Sequence, residues 1–195
     1  MKLGRILLAF GTVAGALAFF AAILVTMTGG RDRPAIGGPF RLKSHIGETI
    51  DSVALKGHPY AVFFGFAGCP EVCPTTMLDM QRLLDRMGPP AQNFRVYFVS
   101  VDPERDTPEM LRYFLASFAP YIVGLTGTPA EIAGMAKSFG AYYRKVPTTG
   151  GDYTMDHSAF VYLMDATGNY VESIGYQEPE DRALAKLRAL LGGSS

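Results

Sequence analysis

The most reactive side chains in this sequence are two cysteines four residues apart. Cys69 and Cys73 sit in Gly65-Phe66-Ala67-Gly68-Cys69-Pro70-Glu71-Val72-Cys73-Pro74. The residues before them read as a strand and those after as a helix, so both thiols fall near a helix N-terminus. Unpaired N–H groups and the positive end of the helix dipole favour thiolate there. Thiolate is the form that binds metal or attacks a disulfide. At i, i+4 on one helical face the two Cβ atoms lie about 5–6 Å apart. A disulfide wants roughly 3.5–4.5 Å, so closing the bond is expected to need unwinding around Pro70. Held open, the two sulfurs bracket one ion at about 2.3 Å each if zinc–thiolate bonds are the guide. On spacing alone a disulfide, a redox couple and a metal site all remain open.

Two thiolates do not complete a metal site, and the sequence has three histidines. His45 lies close to Gly47, and His58 sits between Gly57 and Pro59. Both read as loop histidines, exposed or hydrogen-bonded. His157 stands in Tyr153-Thr154-Met155-Asp156-His157-Ser158, a loop directly before an apolar strand. In an open sheet, loops at strand ends converge on the helix N-termini that follow neighbouring strands. His157 is therefore the candidate third ligand.

The elements that must position these residues follow from the apolar pattern. Tyr60–Phe66 is a continuous aromatic-rich run and reads as a buried strand. Met77, Met80, Leu84 and Met87 share one face of a helix over Cys73–Met87, which makes the methionines core packing and not a metal relay. Arg95–Asp102 and Tyr121–Leu125 read as strands. Thr107 caps a helix to Phe118 with Pro108 at its first position, and Thr128-Pro129-Ala130-Glu131 is a capping box opening a helix to Phe139. Ala159–Asp165 and Tyr170–Ile174 are strands around a turn at Ala166–Asn169. Pro179–Leu191 is a last helix, with Leu184, Leu187 and Leu191 on one face. Phe40–Leu42 and Thr49–Ser52 add an N-terminal hairpin. Strands alternating with helices, then a hairpin and a helix, give an α/β domain with a central sheet and helices on both faces.

The chain has 195 residues, with Lys plus Arg and Asp plus Glu equal at 18 each. A neutral balance argues against nucleic-acid binding, which needs a basic surface. Two cysteines exclude a disulfide-framework miniprotein and a four-cysteine zinc ribbon. Ile6–Met27 is an uncharged run of 22 residues. As a helix it is roughly 33 Å long, enough to cross a hydrocarbon core of about 30 Å. Lys2 and Arg5 precede it, so the N-terminus is expected to stay cytoplasmic and the rest to cross. The run is longer than a signal-peptide core and ends in bulky residues, which favours an uncleaved anchor. Gly11 and Gly15 read as ordinary membrane-span glycines.

The expected organisation is thus an anchor over 1–28, a Gly/Pro-rich linker over 29–39 and one domain over 40–195. Beyond residue 30 the chain carries 16 basic and 18 acidic side chains. The far side of the membrane is an oxidising compartment. The short basic start leaves no room for a mitochondrial presequence, so the expected location is a bacterial inner membrane, single-pass, with the domain in the periplasm.

Three blocks resemble the Sco/SenC family of copper chaperones. Cys69–Pro74 followed by Thr75 and Thr76 is similar to its CxxxCP-Thr-Thr pattern. Val101-Asp102-Pro103-Glu104-Arg105-Asp106-Thr107-Pro108-Glu109 is similar to its VDPxRDTPE stretch, and Asp156-His157-Ser158 to its DHS segment. They occur in the family's order across most of residues 36–192. Ala67-Gly68 departs from the Thr-His that many members carry there, removing a polar neighbour but no ligand.

The resemblance implies a thioredoxin-like fold that binds copper, Cu(I) or Cu(II), through Cys69, Cys73 and His157. It implies delivery to, or thiol reduction of, the binuclear copper centre in cytochrome c oxidase subunit II. Other periplasmic copper chaperones or thioredoxin-like reductants are further expected partners, and no enzymatic turnover is required. Soft thiolates and imidazole suit copper, and a three-donor site leaves a position open for a recipient to attack. A thiol–disulfide oxidoreductase needs only Cys69 and Cys73. A peroxiredoxin-type peroxidase fits poorly, since Thr75 and Thr76 lie on the wrong side of the cysteines. Asp102, Arg105 and Asp106 read as a turn shaped by an Arg–Asp pair, with Asp102 a weaker candidate for orienting a ligand. Met155, near His157, reads as packing before an axial ligand.

Overall fold

A computed structural model describes residues 35–118 and 120–192. Its elements run β1 (Arg41–Ser44), β2 (Thr49–Asp51), β3 (Tyr60–Gly65), α1 (Val72–Met87), β4 (Arg95–Ser100) and α2 (Pro108–Leu115). They continue as β5 (Ile122–Thr126), α3 (Pro129–Phe139), β6 (Tyr143–Pro147), β7 (Tyr153–His157), β8 (Phe160–Met164), β9 (Tyr170–Gly175) and α4 (Glu180–Gly192).

β3 buries all six of its residues and β4 buries every residue after Arg95. Strands with no wet face belong in the middle of a sheet covered on both sides. That is where they sit: the order is β2-β1-β5-β4-β3-β8-β9, with β3, β4 and β5 parallel and β1 and β8 antiparallel to their neighbours. The parallel steps are made through α1 and α2. The N-terminal hairpin forms as expected, and β1 extends the sheet by pairing with β5. A central mixed sheet with flanking helices is the architecture that the family resemblance implies.

Register places the site. Gly65, the last residue of β3, lies opposite Ser100, the last residue of β4. The loops that follow, one with Cys69 and one with Asp102 to Asp106, therefore leave the sheet side by side at the carboxyl end of its parallel strands, where open α/β sheets bind ligands.

The helices start as their sequences specify. Thr107 accepts from the Met110 N–H, and Thr128 and Glu131 form the reciprocal capping box. α2 is shorter than expected: it ends at Leu115 and tightens into a 3₁₀ turn over Ala116–Phe118. Met77, Met80 and Leu84 are buried on α1 and Leu184 and Leu187 on α4. Met87 and Leu191 pack on the core from its margin.

The clearest difference from the sequence reading is at 143–157. β6 and β7 form a separate antiparallel two-stranded sheet, with Tyr143 opposite His157. The segment expected to be a loop before β8 is a strand, and β6 was not anticipated. β6 has no buried residue and β7 buries only Met155, so the apolar signal that marks a strand is weak in both. The Ile6–Met27 segment expected to span a membrane lies outside the described residues. Among those residues no helix is long and apolar enough to cross one.

Candidate metal centre

Cys73 is fully buried in the first turn of α1, while Cys69 is half-buried in the loop between β3 and that helix. The two do not share a helical face, as their spacing had suggested, because the helix begins only at Val72. Glu71, at the cap position, makes no side-chain capping bond. The Cys69 sulfur takes that role and accepts from the Cys73 N–H at 3.4 Å. The helix's open N–H end is thus turned on this sulfur.

Both thiols are free, and their environments push them apart. A hydrogen bond from the Cys73 thiol lowers the Cys69 thiol to about 4, against the opposing effect of burial, with help from His157 and the backbone N–H groups of Cys73 and Glu71. Burial pushes the Cys73 thiol up, and sharing a site with Cys69 pushes it further. One sulfur is thus an accessible thiolate and the other a buried proton donor.

Gly65 lets the helix come this close. A Cβ there would fall 2.8 Å from the Cys73 sulfur and 2.8 and 2.9 Å from the rings of Phe63 and Phe98.

His157 ends β7 and completes the group. Its Nε2 is 3.4 Å from the Cys73 sulfur, and the donor atoms of Cys69, Cys73 and His157 all lie within 4.8 Å of one another. The ring meets Phe63 and Phe66 edge-on, each at a centroid distance of 5.8 Å. Nδ1 is 3.1 Å from the Ser158 carbonyl oxygen, which can only accept. Nδ1 therefore carries a hydrogen, and Nε2 is the nitrogen that faces the sulfurs and is open to a metal ion. Fixing the far nitrogen in this way is how proteins aim a metal-binding imidazole. Two soft sulfurs and one imidazole nitrogen, with no further histidine, cysteine or acidic side chain in the group among the described residues, form a donor set for a soft ion with a position left open. Among the described residues this is the sole such cluster of histidine, cysteine and acidic groups. His45 instead accepts the Gly124 N–H at 3.1 Å, and His58 is exposed.

The Asp102–Asp106 turn stands beside the site and braces it. Its backbone closes through the Asp102 carbonyl, which accepts from the N–H groups of Arg105 and Asp106. Asp102 is 1% exposed. Its carboxylate pairs with Arg105 Nε and accepts from the Tyr153 hydroxyl at 2.9 Å. The turn-forming Arg–Asp pair is present, and Asp102 reaches the hairpin that carries His157 through Tyr153. Asp106 accepts from Ser100 Oγ at 2.6 Å and from the Ala67 N–H at 3.0 Å, which ties down the cysteine loop. Tyr153 escaped the sequence reading. Its signal was its place four residues before His157, on the same face of a strand that the pattern did not reveal. Met155 between them is buried in the core.

A family model described as SCO1/SenC matches residues 28–192. The chain is 37% identical over 143 residues to a SCO2-like protein of Rickettsia felis, covering 72% of this chain and 70% of that protein. The solved structure of ScoI from Bradyrhizobium japonicum with copper bound is similar, at a TM-score of 0.74 and 45% identity over 80% of this chain and 99% of that one. BsSco, described as having a disulfide switch and as a member of the Sco family of cytochrome c oxidase assembly proteins, is similar at a TM-score of 0.66 and 27% identity, over 83% of this chain and 96% of its own. With a family match over most of its length and identities of this order, the chain belongs to the SCO1/SenC family.

Proposed function

We propose that this protein is a membrane-anchored copper carrier that serves the assembly of cytochrome c oxidase. Copper is its cargo, held by the sulfurs of Cys69 and Cys73 and by Nε2 of His157. The observation that carries the reading is the convergence of these three donors within 4.8 Å from two separate parts of the chain. Zinc accepts the same donor types; a copper-bound relative at 45% identity favours copper. The recipient is the binuclear copper centre of subunit II. Three donors leave the ion open to attack by the recipient's ligands before the carrier lets go. The anchor over 1–28 holds the domain on the periplasmic face of a bacterial inner membrane, beside that recipient.

A second role is supported by the asymmetry of the thiols. The Cys69 thiolate attacks a disulfide in the recipient site, forming a mixed disulfide and releasing one recipient thiolate. Cys73 then attacks Cys69, which frees the second recipient thiol and leaves a Cys69–Cys73 disulfide. Two electrons pass to the recipient. The same closure consumes both sulfur ligands, so copper and the disulfide exclude each other. The disulfide switch described for BsSco supports this coupling.

Metal analysis of the full chain, reduced and oxidised, tests the carrier reading. One copper per reduced chain and none per oxidised chain is expected. Equal uptake by both forms would show that the cysteines are not ligands.

A further inference from the structure

β6 and β7 share no backbone ladder with the seven-stranded sheet, and a lone hairpin is marginal in water. β8, three residues after His157, ties the far end of β7 to the central sheet, so the near end of β7 must be placed by side-chain contacts. Alternation along β7 puts Tyr153, Met155 and His157 on one face. Met155 is buried at the middle of that face. Roughly 13 Å from His157 along the strand, at about 3.3 Å per residue, Tyr153 is gripped by the turn after β4. Its hydroxyl donates to Asp102 Oδ1 at 2.9 Å and its carbonyl accepts from Arg105 Nη1 at 2.8 Å. The Arg105 guanidinium lies over its ring, 3.7 Å from the centroid. Asp102 is 1% exposed, and a carboxyl group at that depth is costly without its donors. The Tyr153 hydroxyl is one of two side-chain donors to it, so leaving is penalised on both sides. The same turn holds the cysteine loop through Asp106 and Ala67.

We propose that Asp102, Arg105 and Tyr153 form a latch that positions His157 for copper. By holding the start of β7 against the turn after β4, the latch sets where the end of that strand delivers Nε2, although none of the three residues is a ligand. The inference rests on the reading of His157 as a copper ligand.

Tyr153→Phe removes the hydroxyl and keeps the ring over Arg105, so the full chain retains its fold. In the metal-free protein, amide hydrogen exchange in β6 and β7 is expected to speed about tenfold while β3 and β4 stay unchanged. Copper titration against a competing chelator is expected to show about tenfold weaker binding, the low end for groups that orient a metal ligand. No further loss is expected when Tyr153→Phe is added to His157→Ala. Arg105→Lys keeps the charge but not the planar fork, and is expected to act in the same direction. Unchanged exchange, unchanged copper affinity, or a Tyr153→Phe loss that persists in full without His157 would each overturn the latch. Copper affinity unaffected by His157→Ala would overturn the ligand assignment itself, and with it the latch's bearing on copper.

Discussion

The two halves of the site are held in opposite ways. The cysteines hang from the middle of the central sheet: β3 is fully buried, pairs on both sides, and runs from Gly65 through the cysteine loop into a helix that buries Cys73 close against it. His157 comes from a hairpin outside that sheet, one that buries only Met155 and runs into β8 three residues after His157. A carrier benefits from the difference. A rigid half keeps the two soft donors ready, and a lightly held half supplies the third donor without closing the site for good.

The comparison can be broken most severely at the rigid half. Cys73→Ser is expected to lower copper affinity by more than about 100-fold, beyond what loss of an orienting neighbour costs, as read by chelator competition. A modest loss would mean that the ion sits elsewhere. His157→Ala comes next, with a loss of roughly 10–100-fold for Cu(II) and a smaller one for Cu(I), which two thiolates can hold linearly. Equal losses for both oxidation states would erase the distinction between the halves. Gly65→Ala pushes a methyl group into the Cys73 sulfur and two phenylalanine rings, and overpacking of this kind costs about 1–3 kcal/mol. A lower Tm together with weaker copper binding is expected, and an unchanged Tm would show the packing to be slack.

The asymmetry of the thiols gives a pH prediction. An ordinary thiol titrates near 9 and the folded Cys69 near 4, so between these values the folded chain binds fewer protons than the unfolded one. The thiolate's contribution to stability is whole above about pH 9 and is lost as the pH falls through about 4. Alkylation of the metal-free chain is expected to modify Cys69 down to near pH 4 and to spare the buried Cys73. Onset of reaction only near pH 8–9 would contradict this. The smallest effect is expected from Glu104→Gln. It removes an exposed ion pair with Lys145 on the hairpin, and such pairs contribute little, so no measurable change in Tm or copper binding is expected. A clear loss would mean that the hairpin depends on its surface charges more than on the Tyr153 contact.

The same contrast explains what the sequence revealed. The elements around the cysteines were legible because they are buried: YAVFFG and the VYFV of Val96–Val99 are apolar runs, and Thr128 with Glu131 marks a helix start. Cys69, Cys73 and His157, which the structure brings together, stood out in the sequence through the two family blocks that contain them. The hairpin was not, because β6 and β7 are polar strands with one buried side chain between them. Gly150 and Gly151, both at positive φ, are its one local turn signal. The i, i+4 spacing of the cysteines also misled. It implied one helical face, whereas the helix begins only at Val72 and the Cys69 sulfur, outside it, accepts the Cys73 N–H.

The central claim is that donors from these two unlike halves meet on one ion. X-ray absorption at the copper edge, on the reduced and copper-loaded full chain beside its His157→Ala variant, tests it most directly. Two sulfurs and one imidazole nitrogen are expected in the unaltered protein, with the nitrogen alone lost in the variant. A coordination shell without sulfur, or one identical in the two proteins, would contradict the account.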